Sequence, residues 1–208
     1  QFGKSDKIFY TEPNHLMKNL PANFNQYVGK SFEINPSFYC WFDNANLIGP
    51  DAIGITCDNR IILETSFGLK NLLDKCSPKL FSKVKYLPIE KRYNCAISLV
   101  NIYNNEYNKN YFHWIVDSLF ALESVEKFYL EYGFKPEIII NKNPLKIQLE
   151  SLKILGYNKN DYSEWDYRRA RIKQFLVPWT SRTYSNYTFR ASTLRWFKQK
   201  VYDKIGNQ

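Results

Sequence analysis

The sequence predicts an α/β domain: a parallel β-sheet with helices on both faces, preceded by a β-rich lead-in. Three observations carry this expectation. Short continuous apolar runs such as EIII at 137–140 alternate with segments of helical periodicity, and Gly or Pro punctuates the joints. At 208 residues, 44% hydrophobic and 17% aromatic, the chain is long enough to bury a core within one domain, 1–208.

The lead-in, 1–92, is the least regular part. Within it DAIGITCDNRIILE, 51–64, holds two short β-prone runs around Asp58-Asn59 and reads as a tight hairpin. SFGLKNLLDKC follows with Leu69, Leu72 and Leu73 at helical spacing, before Pro78 and Pro88. From 93 to 208 the order is β-α-β-α-β-α. AISLV, 96–100, is the first strand, and a polar Asn/Tyr-rich loop leads to a long helix from Tyr111 to about Tyr132, stopped by Gly133. EIII is the second strand. Asn143-Pro144 then offers a cap and first-turn proline for LKIQLESLKIL, whose Leu145, Leu149, Leu152 and Leu155 form one stripe before Gly156. IKQFLVP, 172–178, is the third strand, followed by a loop and a basic amphipathic helix from about Ser192 to Ile205. Such alternation implies crossover connections and a Rossmann-like arrangement, with ligands beyond the carboxyl ends of the strands, in the loops after Val100, Ile140 and Pro178.

Several classes are disfavoured. No run approaches the roughly 20 apolar residues of a spanning helix, and Gln1 to Asp6 lacks a signal-peptide layout. No G-x-G-x-x-G or P-loop follows a strand, so a self-contained dinucleotide or ATP site is not expected. Cys40, Cys57, Cys76 and Cys95 are spread without a C-x-x-C pair, and His15 and His113 are the only histidines. That spacing argues against structural zinc and for buried free thiols. The sequon Asn186-Tyr187-Thr188 is of a kind common by chance. Charge is uneven: of the net +9, the last 46 residues carry ten basic side chains against Glu164, Asp166 and Asp203. The asymmetry suggests an anionic partner, with a solvated face as the plainer alternative.

The chemistry-bearing group is NYFHWIVDSLFALES, 110–124. Asn110 is placed to cap the helix, and at helical spacing His113, Asp117 and Ser124 fall within about 40° of one another. A carboxylate one turn from an imidazole sets its tautomer and raises its basicity, as a general base requires. The competing readings are a histidine packed at a helix start and satisfied by Asp117, and a metal pair, for which two ligands without a third are too few. Location after a strand's carboxyl end favours the base.

The string Asn110 to Asp117, N-Y-F-H-W-I-V-D, resembles the Asn-x-x-His-x-x-x-Asp signature of the family 61 glycosyltransferases. That group includes bacterial capsular-polysaccharide proteins and eukaryotic enzymes adding xylose or N-acetylglucosamine. GPDAIGITCDNRIILETS is similar to the family's β-rich lead-in, EIIINKNPLKIQLESLKILGY to its strand and helix ending in Leu-Gly, and FLVPWTSRTYSNYTFRASTLRW to its third strand, loop and helix. The resemblance covers about residues 47 to 208, with Phe120-Ala121 where many relatives have Leu-Pro. It implies one half of a two-domain GT-B architecture, acceptor contacts in this half, a nucleotide-sugar donor in a C-terminal domain absent here, and inversion at the anomeric carbon. The chain, beginning with Gln1 and stopping at Gln208, reads as an excerpt that ends before the family's His-Gly donor motif.

On this reading His113 and Asp117 are catalytic. Asn110, Trp114, Arg182, Arg190 and Arg195 bind substrate, the arginines meeting diphosphate through their bidentate forks. Tyr107, Tyr111, Trp114, Trp179 and Tyr184 would suit stacking on sugars, although aromatic side chains are more often core. No cofactor or metal is expected in this half. Its partners are a glycan acceptor, the nucleotide-sugar donor and the C-terminal domain, with no nucleic acid; peripheral membrane contact is open. The compartment is the cytoplasm for the bacterial type and the secretory lumen for the eukaryotic. The rival is a basic module binding nucleic acid or anionic glycan without catalysis.

Overall fold

A computed structural model describes residues 6–9, 29–34, 37–66, 86–101, 110–179 and 190–206. The fold is mixed α/β. Strands β1 (Asp6–Phe9) and β2 (Ser31–Ile34) form a small antiparallel pair. The remaining six form one sheet: β3 (Phe38–Ile48), β4 (Ile53–Ile55), β5 (Lys91–Ser98), β6 (Glu137–Asn141), β7 (Tyr162–Trp165) and β8 (Arg169–Trp179), in the order β4-β3-β8-β5-β6-β7.

The sheet is mixed, which corrects the expectation of parallel strands throughout. β5, β6, β7 and β8 are parallel, whereas β3 runs antiparallel to both β8 and β4. The physical reason lies in the connections. Parallel neighbours need a crossover of about a dozen residues or more, but β3 returns into β4 through the turn Gly49–Ala52, which only an antiparallel pair can use. Gly49 and Ala52 take positive φ there, 69° and 49°. The expected hairpin at Asp58-Asn59 has its turn, with Thr56 N–H donating to Arg60 O at 2.8 Å and Asn59 at φ 65°. Its arms are joined by the bridge Ile55 to Ile61 and by Ile62 N–H donating to Gly54 O at 2.9 Å, while the other edge of Ile53–Ile55, whose isoleucines are each 2% exposed, pairs with β3.

The long helix expected from Tyr111 to Tyr132 is present as a helical run with a defect. It comprises α1 (Tyr111–His113), a π turn (Trp114–Leu119) and α2 (Leu122–Tyr132), closed by Gly133 at φ 78°. In the π turn Phe120 N–H reaches back five residues to Ile115 O at 3.1 Å. Helix α3 (Lys146–Ile154) starts later than expected: Asn143 sits at φ 50° and donates its N–H to Glu164, while Gln148 Oε1 accepts from Leu145 N–H at 2.7 Å. Helix α4 (Ala191–Ile205) matches its expected span. The helix expected in SFGLKNLLDKC lies, from residue 67 on, outside the described residues.

One core unites Trp114, Leu122 and Val125 with Leu152 of α3 and with Ile97, Ile140 and Leu176 of the sheet, and Phe197 and Val201 of α4 pack on it. All the helices of the described residues longer than one turn therefore cover one face, not two. The other face carries Leu47, Tyr93, Ile139, Ile172 and Phe175, with Ala52 and Ile62 from the lead-in packed over it. Cys40 and Cys95 are free and half-buried, and Cys57 is free and exposed. No helix among the described residues is long and apolar enough to cross a membrane.

Candidate functional site

The site is assembled where β5 and β6 end. Leaving β5, the chain passes Asn101, and Asn110 opens the helical run, its Oδ1 accepting from Phe112 N–H at 3.1 Å and His113 N–H at 3.4 Å. The cap works because the first helical N–H groups have no partner within the helix. It fixes the start of α1, and hence the angle at which His113 leaves the backbone.

One turn on, His113 Nδ1 and Asp117 Oδ2 lie 2.7 Å apart. The imidazole is buried but not sealed, with 11% of its side chain exposed against 1% for Asp117. Asp117 is also held from the sheet. Asn101 Nδ2 donates to the same Oδ2 at 3.4 Å, and Asn101 is itself clamped by Asn141, the last residue of β6. Asn141 Oδ1 accepts from Asn101 N–H and Asn141 Nδ2 donates to Asn101 O, both at 3.1 Å. Ser118 Oγ donates to Leu99 O at 3.3 Å, tying the π turn to the same strand end. The π turn carries Asp117 within this layer, and such local widening of a helix is frequent at functional sites.

The sequence-predicted residues divide. The structure brings Asn110, His113 and Asp117 together. Ser124, expected on the same strip, follows the π turn, whose extra residue rotates the later helix by roughly 100°; Asn101, which was not expected, donates to Asp117. Trp114 is 1% exposed and its Nε1–H donates to Ser151 Oγ at 2.8 Å, so it is a core residue that locks the π turn to α3 rather than a surface for substrate. Arg190 is 3% exposed and donates from Nη1 to Ser37 Oγ at 3.3 Å, a placement that ties the start of α4 to the sheet. Arg195 is exposed on α4. Arg182, Tyr107 and Tyr184 lie outside the described residues.

Sequence reasoning missed Asn101 and Asn141. Their signal was present: each is the first amide after a buried apolar strand, in AISLVN and EIIIN. It also missed Glu123, 8% exposed, whose Oε2 accepts from Thr193 Oγ1 at 2.7 Å and joins α2 to α4.

A cavity of about 550 Å3 lies beside the clamp, lined by the turn Gly49–Asp51, Glu90, Asn141–Asn143 and Trp165–Arg168. Asn141 belongs to both. His113 and Asp117 are not among the residues that line the cavity, and its cations are engaged, Lys142 with Asp166 at 2.7 Å and Arg168 with Glu90 at 2.9 Å. Among the described residues no group of three or more His, Cys, Asp or Glu is placed to hold a metal ion. Comparison with protein-family models, curated proteins and solved structures yields no match.

Proposed function

We propose that the chain is the acceptor-side, Rossmann-like half of a GT-B glycosyltransferase of the family 61 type. In this reading a sugar passes from a nucleotide-sugar donor to a glycan hydroxyl with inversion. One observation carries it: an imidazole with 11% of its side chain exposed, 2.7 Å from a carboxylate that is itself held in place, at the carboxyl ends of two parallel strands. Structural His–Asp pairs are common, but this one is braced by a buried amide clamp and mounted on a π turn.

The chemistry follows from the geometry. With Asp117 accepting from Nδ1–H, the lone pair of His113 is confined to Nε2. That nitrogen takes the proton of the acceptor hydroxyl as its oxygen attacks the anomeric carbon, while the bond to the nucleoside diphosphate breaks and its electron pair leaves with the phosphate. Asp117 is a positioning residue: it stabilises the imidazolium as it forms and touches no reacting atom. Arg195 and Arg182 are assigned to the departing diphosphate, where donors aimed at developing charge accelerate transfer. The cavity beside Asn141 is the place this reading gives to the acceptor glycan, since the half-buried Tyr167 and the exposed Asn143 amide offer a ring face and hydrogen bonds without a net cationic lining.

The test uses the full-length protein and a panel of nucleotide sugars, with release of nucleoside diphosphate as the signal. His113→Ala lowers turnover by about 10²-fold or more, the range a general base contributes. Undiminished turnover removes His113 from the mechanism.

A further inference from the structure

We infer that Arg92, Arg169 and Arg171 form an anion site on the sheet, taking a compact oxyanion such as phosphate, free or as an ester. This goes beyond the glycosyltransferase reading and does not depend on it. The site lies at the amino ends of β5 and β8, whereas His113 follows the carboxyl end of β5.

Strand register creates the cluster. Arg92 of β5 is opposite Arg171 of β8, and Asn46 of β3 is opposite Arg171 from the other side. Arg169 precedes Arg171 by two residues, so the period of a strand returns it to the same face. Three guanidinium groups thus share a patch about 5 Å wide between strands and about 7 Å long along one.

The cluster is built rather than scattered. Arg169 is 7% exposed and is fixed in part by two neutral acceptors: Nε donates to Asn46 Oδ1 at 3.1 Å and Nη1 to Leu87 O at 2.9 Å. Arg171 is half-buried, and its Nε is enclosed with no hydrogen-bond partner among the described residues. Among the described residues no carboxylate pairs with Arg92 or Arg171; the adjacent acid, Glu90, is committed to Arg168. Strand register sets the charges of Arg92 and Arg171 beside that of Arg169, and burial, followed by those two charges, holds the Arg169 guanidinium below its usual range. Like charges at this spacing repel. An oxyanion cancels the repulsion and accepts from several planar forks at once. The small footprint suits one tetrahedral group, not a row of backbone phosphates.

The experiment titrates inorganic phosphate and glycerol phosphate into the purified chain by calorimetry, at constant ionic strength set with sodium chloride. Thermal unfolding is followed in parallel. The variants are Arg92→Gln, Arg171→Gln and the double substitution, with the exposed Lys153→Gln as control. Wild type and K153Q bind one phosphate per chain, and each arginine variant weakens binding by about tenfold or more, the scale of a lost hydrogen bond to a charged group. Tighter binding of glycerol phosphate assigns an ester as the ligand; equal binding assigns the free ion. Melting temperatures cross over. Without phosphate the double variant melts no lower than wild type, because repulsion is relieved, and at saturating phosphate wild type melts higher. If R171Q does not fold, R92Q, altered at an exposed side chain, gives the same reading. Absence of phosphate binding by wild type, or equal affinity in wild type and R92Q, overturns the proposal.

Discussion

Replacing Asn141 by Ala removes the clamp that joins the ends of β5 and β6. Asn141 is 7% exposed and Asn101 1%, so neither has bulk water to fall back on. The substitution strips the Asn101 N–H of its acceptor and the Asn101 C=O of its donor, two bonds of 3.1 Å. A buried polar group deprived of its partner costs about 1–3 kcal/mol, so the two together cost about 2–6 kcal/mol, less if water enters from the adjoining cavity. Urea unfolding of wild type and N141A, fitted with a common slope, measures the difference. The same experiment on Asp117→Asn and on the double variant measures coupling through Asn101. Residues sharing a network show an interaction energy of about 0.5 kcal/mol or more, whereas independent sites add. A loss under about 0.5 kcal/mol for N141A, the size of an ordinary surface substitution, would refute the claim that these amides are a structural clamp. Strict additivity with D117N would refute its connection to the histidine pair.

Two further outcomes test other parts of the fold. Gly54→Ala puts a Cβ 2.9 Å from Thr65 Cγ2 and 3.0 Å from Phe175 Cε1, so it lowers stability by about 1–3 kcal/mol, read as a drop in melting temperature; an unchanged melting temperature contradicts the packing of β4 on the sheet. The Arg168 backbone N–H, and then its guanidinium, hold the Glu90 carboxyl below its ordinary value of 4.5. Its folded-state value is the lower one, so the contribution is fully present above the ordinary value of 4.5 and is lost as pH falls from there through the folded value. Urea midpoints of wild type and Glu90→Gln, measured from pH 6 to pH 3, therefore converge toward the acid end, and a constant separation would rule the linkage out.

The alternation between residues 96 and 155 was readable because its strands are buried on both faces and its helices end at Gly133 and Gly156, both at positive φ. β3 was not. FYCWFDNANLI is interrupted by Asp43, Asn44 and Asn46, and Asn44 takes φ 55°, so no simple alternation marks the longest partner of β8. β7, YSEW, is polar because it lies at the sheet edge, where one side needs no partner. In the site, the spacing of four between His113 and Asp117 was enough to predict their contact, since both α and π turns bring such residues onto one side. The π turn had no signal, for no Gly or Pro marks it, so the change of phase that a π turn brings for the residues after it was not legible. Trp114 was assigned to substrate because a single sequence does not separate a core aromatic from an exposed one. The arginine cluster depends on β8 inserting between β3 and β5, an adjacency of strands far apart along the chain.

The proposal rests on Asp117 confining the proton of a neutral His113 ring to Nδ1 and leaving Nε2 as the base. Long-range ¹H–¹⁵N correlation spectra of the histidine side chains report this directly, and with His15 the only other histidine the assignment is simple. Wild type is expected to show one His113 tautomer, protonated at Nδ1, that becomes a mixture in Asp117→Ala. A ring protonated at Nε2, or the same mixture in both proteins, would show that the carboxylate does not prepare this imidazole to accept a proton.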